Sequence, residues 1–328
     1  MSDQDSVQDV DVFKNVFKFY KSRNKIIDLS DVIDFNEVDN TRHHDKISTV
    51  NLKDNMDKVI SPEDTMKPIC EWEAYNVSAC PGFIFIKNPF TPAGQRYWIQ
   101  QCLRYYPCKP NISNLDAHVA PNSIDNMWTR SSYVDTHQNN SSKDLIDRLR
   151  WVTLGYHHNW DTKVYSESMR TEFPPNLSRL SKAVATATGH DKFEAQAAIV
   201  NFYHMHSSLS GHTDHSEIHM EEPIISFSFG QSAIFLLGGS TKAVPPVPII
   251  LRSGDVAVMA GASRSAYHAV PRILPTDNCH VADLYHDCTA ADEAFGKYIA
   301  SARININVRQ VLPPGQKFMS SGDGSATT

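Results

Sequence analysis

The sequence predicts a mainly β chain of the α+β class, in which helices come first and an antiparallel double sheet of the jelly-roll kind follows. Helical periodicity marks the segments before residue 196, and a period of two replaces it afterwards. Turn signals such as Gly230-Gln231 and Ser253-Gly254-Asp255 separate several of the later segments. The candidate strands are 197–204, 211–216, 224–229, 232–238, 247–252, 255–260, 265–270 and 302–309.

Length and composition fit a globular protein with a sizeable core. The chain has 328 residues, of which 41% are hydrophobic, and no apolar run approaches the roughly 18 residues of a membrane span. Six cysteines without a C-x-x-C pair favour a reduced, intracellular compartment over a disulfide scaffold. The acidic N-terminus has no apolar signal-peptide core, which agrees with that expectation. A net charge of −6 excludes a uniformly basic nucleic-acid binder, although one face can still be basic.

Five segments are expected along the chain. Between Val12 and Tyr20, apolar residues recur at helical spacing with lysines opposite them. We interpret this as a helix docked on the main domain, and the alternative is a basic contact to RNA, a membrane or a partner. The expected segments are an amphipathic helix in 1–26, a linker or wrapping segment in 27–70, a helical support and lid in 71–195, the jelly-roll core in 196–318 and a disordered tail in 319–328.

Helix signals organise the support segment. Thr91 suits an N-cap, Pro92 the first helical position, and Pro107 ends this helix. A second helix begins after Pro174-Pro175, and Gly189 suits the position just beyond its end. A short apolar strand candidate, 82–86, precedes both helices.

We expect an irregular stretch at 107–170, which mixes aromatic rings with positive charges. Such a mixture suits splayed-out bases and phosphates, and the alternative is a long loop that packs its aromatics against the core. The side chains concerned are Trp128, Arg130, Lys143, Arg148, Arg150, Trp151, Tyr156, Trp160, Lys163 and Arg170.

A candidate metal site lies at His212-Thr213-Asp214. Residues two apart in a strand point the same way, so an extended backbone would place His212 and Asp214 on one face. His268, on a later strand candidate, is the best third ligand. Two histidines and one carboxylate leave open positions on the metal, as in non-haem Fe(II) oxygenases. A lone H-x-D pattern is weak evidence by itself.

The strand candidate 302–309 strengthens the metal site. Its polar residues alternate with apolar ones, so four polar side chains face one side. Inward-facing arginines need anionic company, and a dicarboxylate provides it because guanidinium binds carboxylate through paired hydrogen bonds. The alternative is a solvated face at a sheet edge. The four residues are Arg303, Asn305, Asn307 and Arg309.

A second histidine and cysteine group is a weaker metal candidate. Cys279-His280 and His286-Asp-Cys288 lie within 274–297, which we interpret as an inserted loop. Their spacing matches no recognised zinc finger, so a zinc site is disfavoured.

These motifs together resemble the AlkB family of Fe(II)/2-oxoglutarate dioxygenases. Asn201-x-Tyr203, His212-x-Asp214, His268 and Arg303-x-Asn305-x-Asn307-x-Arg309 occur in the family's order. Segments 13–20, 151–160, 226–239 and 307–311 resemble the eukaryotic AlkB homologue 1 class. The resemblance implies a double-stranded β-helix, or jelly roll, with flanking N-terminal helices and a nucleotide-recognition lid.

The resemblance also implies roles for individual residues, with Fe(II), 2-oxoglutarate and O2 taking part in the reaction. Iron ligands would be His212, Asp214 and His268. Residues that bind 2-oxoglutarate would be Asn201, Tyr203, Arg303, Asn305, Asn307 and Arg309. Substrate contacts would be Trp128, Tyr156, His157, His158 and Lys242.

The activity that the resemblance implies is oxidative demethylation of nucleobases. The expected substrate is N-methyladenine in tRNA or in single-stranded or unpaired DNA, with 5-methylcytosine oxidation as a further activity. We expect a monomer that binds nucleic acid and no membrane, in the nucleus, the mitochondrion or the cytoplasm. The alternatives are a histone or other protein demethylase with the same chemistry, and a non-catalytic nucleic-acid binder with a relic site.

Two positions depart from the family pattern. Asn307 stands where many members have threonine, and this polar change is tolerable. Ser216, followed by Glu217, stands where some repair members have an acidic residue that holds a flipped alkylated base. This change argues against simple repair of alkylated DNA.

Overall fold

The computed structural model describes residues 11–24, 26–38, 43–53, 65–125, 127–128, 145–276, 284–285 and 290–319. Arg130, Lys143, the Cys279-His280 and His286-Asp-Cys288 groups, and all but the first residue of the 319–328 tail lie outside this part of the chain. No helix within it is long and apolar enough to cross a membrane.

Thirteen strands in the described part form two antiparallel sheets, and the predicted jelly roll is confirmed. The strands are β1 (Ile47–Thr49), β2 (Glu73–Val77), β3 (Phe83–Lys87), β4 (Ile112–Ser113), β5 (Trp151–Gly155), β6 (Ala197–His204), β7 (Leu209–His212), β8 (Ile224–Gly230), β9 (Ser232–Leu237), β10 (Val247–Leu251), β11 (Val256–Met259), β12 (His268–Leu274) and β13 (Ala302–Arg309). The larger sheet has the order β1-β2-β3-β11-β8-β13-β6-β5-β4, and the smaller sheet has the order β10-β9-β12-β7.

Six α-helices accompany the sheets in the described residues. They are α1 (Val12–Lys21), α2 (Pro92–Gln100), α3 (Pro121–Asp125), α4 (Leu145–Arg148), α5 (Pro175–Ala187) and α6 (Ala290–Ile299). A π-helical turn, Gln101–Tyr105, extends α2 toward Pro107. The predicted amphipathic helix within 1–26 is observed at Val12–Lys21, and the predicted helices after Thr91 and after Pro175 are also confirmed.

Side-chain alternation along the strands arranges the fold in layers. In β9, Phe235 faces the apolar core between the sheets, whereas Leu236 faces the layer beneath α1. In β8 of the larger sheet, Phe227 and Phe229 face away from the smaller sheet. They pack in a second apolar core, to which α2 and α5 also contribute. The layers run from α2 and α5 through the larger sheet and the smaller sheet to α1.

The segment before the first strand packs against the smaller sheet. Ile33 forms a parallel bridge with Ile249 of β10, and Phe35 stacks on Phe85 with ring centroids 3.9 Å apart. Both apolar side chains are fully buried. This part of the chain therefore contributes to the core between the sheets.

Several sequence predictions were wrong in detail. The candidate strand 211–216 is β7, which ends at His212, and the candidate 265–270 begins instead at His268. The stretch 107–170, predicted to be irregular, contains β5, which pairs with β6 along its whole length. The segment 274–297, predicted to be a loop, includes most of α6.

Thr91 caps α2 as the sequence predicts, because its side-chain oxygen accepts a hydrogen bond from the Gly94 amide at 2.9 Å. We expect Thr91→Ala to lower the free energy of unfolding by about 1 kcal/mol, since that amide loses its partner. Denaturant unfolding measures the change. Thr91→Ser keeps the hydroxyl and serves as the control, and an equal loss in both variants would contradict the capping role.

Candidate metal centre and its pocket

Strand register brings the two candidate histidine ligands together. His212 ends β7 and lies directly opposite His268, the first residue of β12. Directly opposed residues of an antiparallel pair point to the same face. Their ring centroids are 4.3 Å apart, and both side chains face the space between the sheets.

Asp214 joins the histidines from a loop rather than from a strand. Its Oδ1 lies 3.9 Å from Nε2 of His212, and its Oδ2 lies 3.9 Å from Nε2 of His268. One ligand atom from each of the three residues falls within 4.8 Å of the others. A single metal ion can therefore contact all three side chains.

Hydrogen bonds at the far side of each imidazole orient the histidines for metal binding. Nδ1 of His212 lies 3.0 Å from the Ser210 carbonyl oxygen, and Nδ1 of His268 lies 3.1 Å from that of Ala266. A carbonyl oxygen only accepts, so each Nδ1 carries the proton and donates it. Nε2 of each ring is then the nitrogen that faces Asp214 and is available to a metal.

Burial and charge keep His268 and Asp214 in the protonation state that a metal needs. Burial lowers the pKa of His268 to about 4, so its imidazole is neutral at physiological pH. Burial alone would raise the pKa of Asp214, but Arg309 and the two histidines outweigh it and hold this pKa well below its usual range. The site therefore offers a neutral His268 nitrogen and the Asp214 carboxylate beside the His212 imidazole.

A buried ion network holds the Asp214 loop in place. Arg309 contacts Asp214 at 3.3 Å and Glu217 at 3.2 Å. Arg264 contacts the second oxygen of Glu217 at 2.9 Å and donates to the Asp214 carbonyl at 2.9 Å. Tyr165 donates its hydroxyl hydrogen to Glu217 at 3.0 Å. Two guanidinium groups and a fully buried carboxylate thus fix the loop that carries the third ligand.

Sequence reasoning did not identify Arg264 or the structural role of Glu217. The available sequence signal is Glu217 itself, an acidic residue next to Ser216, the position that corresponds to a base contact in some family members. Ser216 lines the pocket, whereas the Glu217 side chain points away into the ion network. One charged residue in this loop therefore supports the site from behind.

The cavity beside these ligands has a volume of about 290 Å³ and lies between the two sheets. Apart from His212 and His268, its wall is apolar on the side of the smaller sheet, and it is polar along β13. The lining includes Asn201, Tyr203, Leu209, Ile224, Ser226, Phe235, Leu251, Met259, Val270, Arg303, Asn305, Asn307 and Arg309. All six residues predicted to bind 2-oxoglutarate thus line one cavity, and the predicted inward face of β13 is observed.

Arg303 is a buried cation with hydrogen-bonding capacity to spare. It is 1% exposed, and only its Nη2 donates, to the Ser228 hydroxyl at 2.9 Å. Its Nε and Nη1 have no hydrogen-bond partner among the described residues. Burial lowers its pKa to about 10, which leaves it charged at neutral pH. A carboxylate entering the cavity would satisfy these donors.

The other cavity residues differ in how far they are already engaged. Asn305 donates to the Ser226 hydroxyl at 2.8 Å and to the Phe227 carbonyl at 3.1 Å, so its amide nitrogen is already engaged. Arg309 is held by Asp214 and Glu217, which gives it a structural contact beyond the predicted ligand contact. Burial raises the pKa of Tyr203 to about 12, so its hydroxyl stays protonated.

Comparison with known proteins agrees with this geometry. The family model described as the 2OG-Fe(II) oxygenase superfamily matches residues 82–309. The mouse protein named "Nucleic acid dioxygenase ALKBH1" is 41% identical over 333 residues, which cover 94% of this chain and 86% of that protein. The chain belongs to the AlkB family of Fe(II)/2-oxoglutarate dioxygenases.

Two further AlkB relatives match most of the chain. An Arabidopsis thaliana protein named "DNA N(6)-methyladenine demethylase ALKBH1A" is 32% identical and covers 90% of this chain and 91% of its own length. A Schizosaccharomyces pombe protein named "tRNA demethylase abh1" is also 32% identical and covers 73% and 82%, respectively.

The residues present fit the metal and co-substrate of this family. Two imidazole nitrogens and a carboxylate suit Fe(II) and leave coordination positions open for 2-oxoglutarate and O2. The free donors of Arg303 suit the distal carboxylate of 2-oxoglutarate. We assign these ligand roles by fit, and they stay predictions for the individual residues.

Of the five predicted substrate contacts, only His158 lines the cavity. His157 is buried between the Thr153 hydroxyl at 2.8 Å and the Thr171 hydroxyl at 3.0 Å. Tyr156 is buried as well and donates its hydroxyl hydrogen to Glu167 at 2.7 Å. Internal partners thus occupy both side chains.

The two remaining candidates, Trp128 and Lys242, also lie away from the cavity lining. Trp128 donates its indole N–H to the Leu103 carbonyl at 2.7 Å and packs edge-on against Phe295. Lys242 is exposed, and its ammonium lies 5.4 Å from the Tyr267 ring centroid beside α1. Neither residue lines the cavity, and their contacts with the substrate stay predictions.

Two residues missing from the predicted contacts stand at the cavity mouth. Together with His158, Trp160 and Lys163 line it, and we call these three residues the rim. The Trp160 ring is 47% exposed and lies 4.9 Å from the His158 ring and 5.3 Å from that of Trp151. The aromatic and basic composition of 107–170 indicated this region, but residue spacing could not show which of its side chains reach the cavity.

Arg303 provides a direct test of the co-substrate site. We expect Arg303→Met to weaken 2-oxoglutarate binding by roughly 10- to 100-fold, because the fork of donors to its carboxylate is lost. Anaerobic titration of metal-loaded protein measures the affinity. Arg303→Lys, which keeps only the charge, should be intermediate.

The unfolding free energy separates this role from a structural one. Because two nitrogens of Arg303 lack protein partners, Arg303→Met should leave the unliganded protein nearly as stable as wild type. A large loss of stability with unchanged 2-oxoglutarate affinity would contradict the assignment.

His157 makes stability depend on pH. Burial lowers its pKa from 6.5 to about 4, so the unfolded chain binds the proton more readily than the folded one. Stability should fall as pH drops from about 6.5 to 4, by roughly 3 kcal/mol from this group. His157→Gln should flatten part of that decline in denaturant unfolding at several pH values. An unchanged profile would show that His157 is not the titrating group.

Proposed function

We propose that this chain is an Fe(II)- and 2-oxoglutarate-dependent demethylase of N-methyladenine in nucleic acid that presents unpaired bases. One observation carries the proposal: a single cavity joins the His212, Asp214 and His268 triad to the aromatic and basic rim. A planar base suits the exposed Trp160 ring, and Lys163 suits a phosphate. The names of the mouse, Arabidopsis and S. pombe relatives support a nucleic-acid substrate.

Different cavity residues would bind the metal, bind 2-oxoglutarate and exclude water. The triad would hold Fe(II), which with 2-oxoglutarate and O2 supplies the oxidising power that hydroxylates a methyl group. Arg303 would anchor the distal carboxylate, and Tyr203, on the neighbouring strand, would donate to it from its protonated hydroxyl. The apolar walls exclude water from the reacting atoms.

The overall chemistry balances without further reactants. One N-methyl group, O2 and 2-oxoglutarate yield the bare nitrogen, formaldehyde, succinate and carbon dioxide. The target base must leave its stack to reach a cavity between two sheets, which favours loops and single strands over duplex. Action as a monomer stays a prediction. Residence in the nucleus, mitochondrion or cytoplasm stays a prediction from the nucleic-acid substrate.

The decisive experiment combines two product measurements. Protein with Fe(II) and 2-oxoglutarate is incubated with N-methyladenine in an RNA stem-loop, in single-stranded DNA and in a duplex, and with a methylated histone peptide. We expect succinate release and loss of the methyl group by mass spectrometry, with the unpaired substrates faster than the duplex. Demethylation of the peptide alone would overturn the proposal.

Two variants separate chemistry from recognition in the same assay. Asp214→Ala should abolish succinate release on every substrate, because the metal loses its carboxylate ligand. Trp160→Ala should raise the KM for nucleic acid while it preserves the slow succinate release without substrate. If Asp214→Ala retained full turnover, the metal centre would lie elsewhere.

A further inference from the structure

Helix α1 packs directly behind the two candidate histidine ligands. Its Phe13 is 2% exposed and lies on the outer face of the smaller sheet. There the ring contacts Gly211, the residue before His212, and Tyr267, the residue before His268. Side chains alternate across a strand, so Phe13 faces the backs of both ligand-bearing strands.

The fit of this ring is unusually close on two sides. A Cβ atom at Gly211 would lie 2.7 Å from one edge of the ring, at Cε1. At Gly238, a Cβ atom would lie 2.9 Å from the opposite edge, at Cδ2. Both distances are too short for real contacts, so only glycine fits at either position without a shift. The ring is thus wedged between β7 and the end of β9.

Strand β7 needs such support because its own pairing is weak. It lies at the edge of the smaller sheet, and its pairing with β12 consists of two positions separated by an irregularity. His268 opposes His212 in one pair, and Val270 opposes Leu209 in the other. An edge strand so short has little that fixes its distance from its neighbour.

Contacts at both ends of the helix tie β7 to the rest of the smaller sheet. At the start, the Phe13 amide donates to the Lys242 carbonyl at 3.0 Å. Beyond its end, Arg23 donates to the Met205 carbonyl at 2.7 Å, in the turn that leads into β7. Arg272 of β12 donates to the Ser22 carbonyl at 2.8 Å. We call residues 12–23 the strap.

We propose that Phe13 is a positioning residue of the metal centre, and that the strap sets the spacing between His212 and His268. The inference rests on the proposed metal role of these histidines. Removing the ring would free β7 to shift against β12, and the two imidazoles would no longer converge on one ion. Metal affinity should fall even though Phe13 touches neither ligand side chain.

The competing interpretation is that Phe13 is an ordinary core residue whose loss lowers only stability. Tyr20 supplies the matched control, because it is 3% exposed, lies on the same helix and packs in the same apolar cluster. None of the close glycine contacts involves Tyr20. A merely structural role predicts equal effects of Phe13→Ala and Tyr20→Ala on metal binding.

The test uses full-length protein and Co(II) as the probe ion, followed by its visible absorption. We expect Phe13→Ala to weaken Co(II) binding roughly tenfold, as loss of support behind a ligand does, and to change the absorption band. Tyr20→Ala should keep the wild-type affinity and band. Phe13→Leu retains apolar volume and should recover most of the affinity, so it also serves if Phe13→Ala fails to fold.

A reciprocal pair of variants sharpens the test. Gly211→Ala should weaken Co(II) binding because its methyl group collides with the ring, and Phe13→Ala should relieve that collision. The double variant should therefore bind no more weakly than Phe13→Ala alone. Additive losses, or equal affinities of the Phe13 and Tyr20 variants, would overturn the proposal. Absence of Co(II) binding by wild type would instead reject the metal centre itself.

Discussion

The site depends on the contact between Asp214 and the Arg309 guanidinium. Register within the smaller sheet delivers two histidines, but no strand delivers the carboxylate, because β7 ends at His212. Arg309 holds the loop from the front, and Arg264 holds it from behind through the Asp214 carbonyl and Glu217. Buried charges are tolerated only when they are paired in this way, and loss of one member would leave another unpaired.

The same network explains why the cavity accepts a metal and a dicarboxylate together. Asp214 and Glu217 pair with Arg264 and Arg309, whereas Arg303 forms no ion pair among the described residues and is attracted only at longer range by Tyr203 and Asp255. Fe(II) brings two positive charges and 2-oxoglutarate two negative ones, so the pair adds no net charge to a buried space. Either one alone would add two charges, which low-polarity surroundings disfavour.

Much of the fold and of the metal and co-substrate site could be predicted from the sequence, because both depend on strand periodicity. Alternation along β13 placed Arg303 and Arg309 on one face, and the strand pattern placed His268 on a later strand, whose register opposite His212 only the structure shows. The substrate contacts at the cavity rim could not be predicted in this way. His157 and His158 are adjacent, yet one is buried between two threonines and the other faces the cavity. Irregular backbone has no period, so spacing cannot tell such neighbours apart.

The short edge strands of the larger sheet affect how readily the protein self-associates at high concentration. Its two outermost strands in the described chain, β1 and β4, have three and two residues. Unpaired backbone groups at a sheet edge are a template on which another chain can add a strand, and short edges give that template little length. The nine-stranded sheet thus ends on each side in a very short strand, which disfavours fibre growth and self-association through its edges.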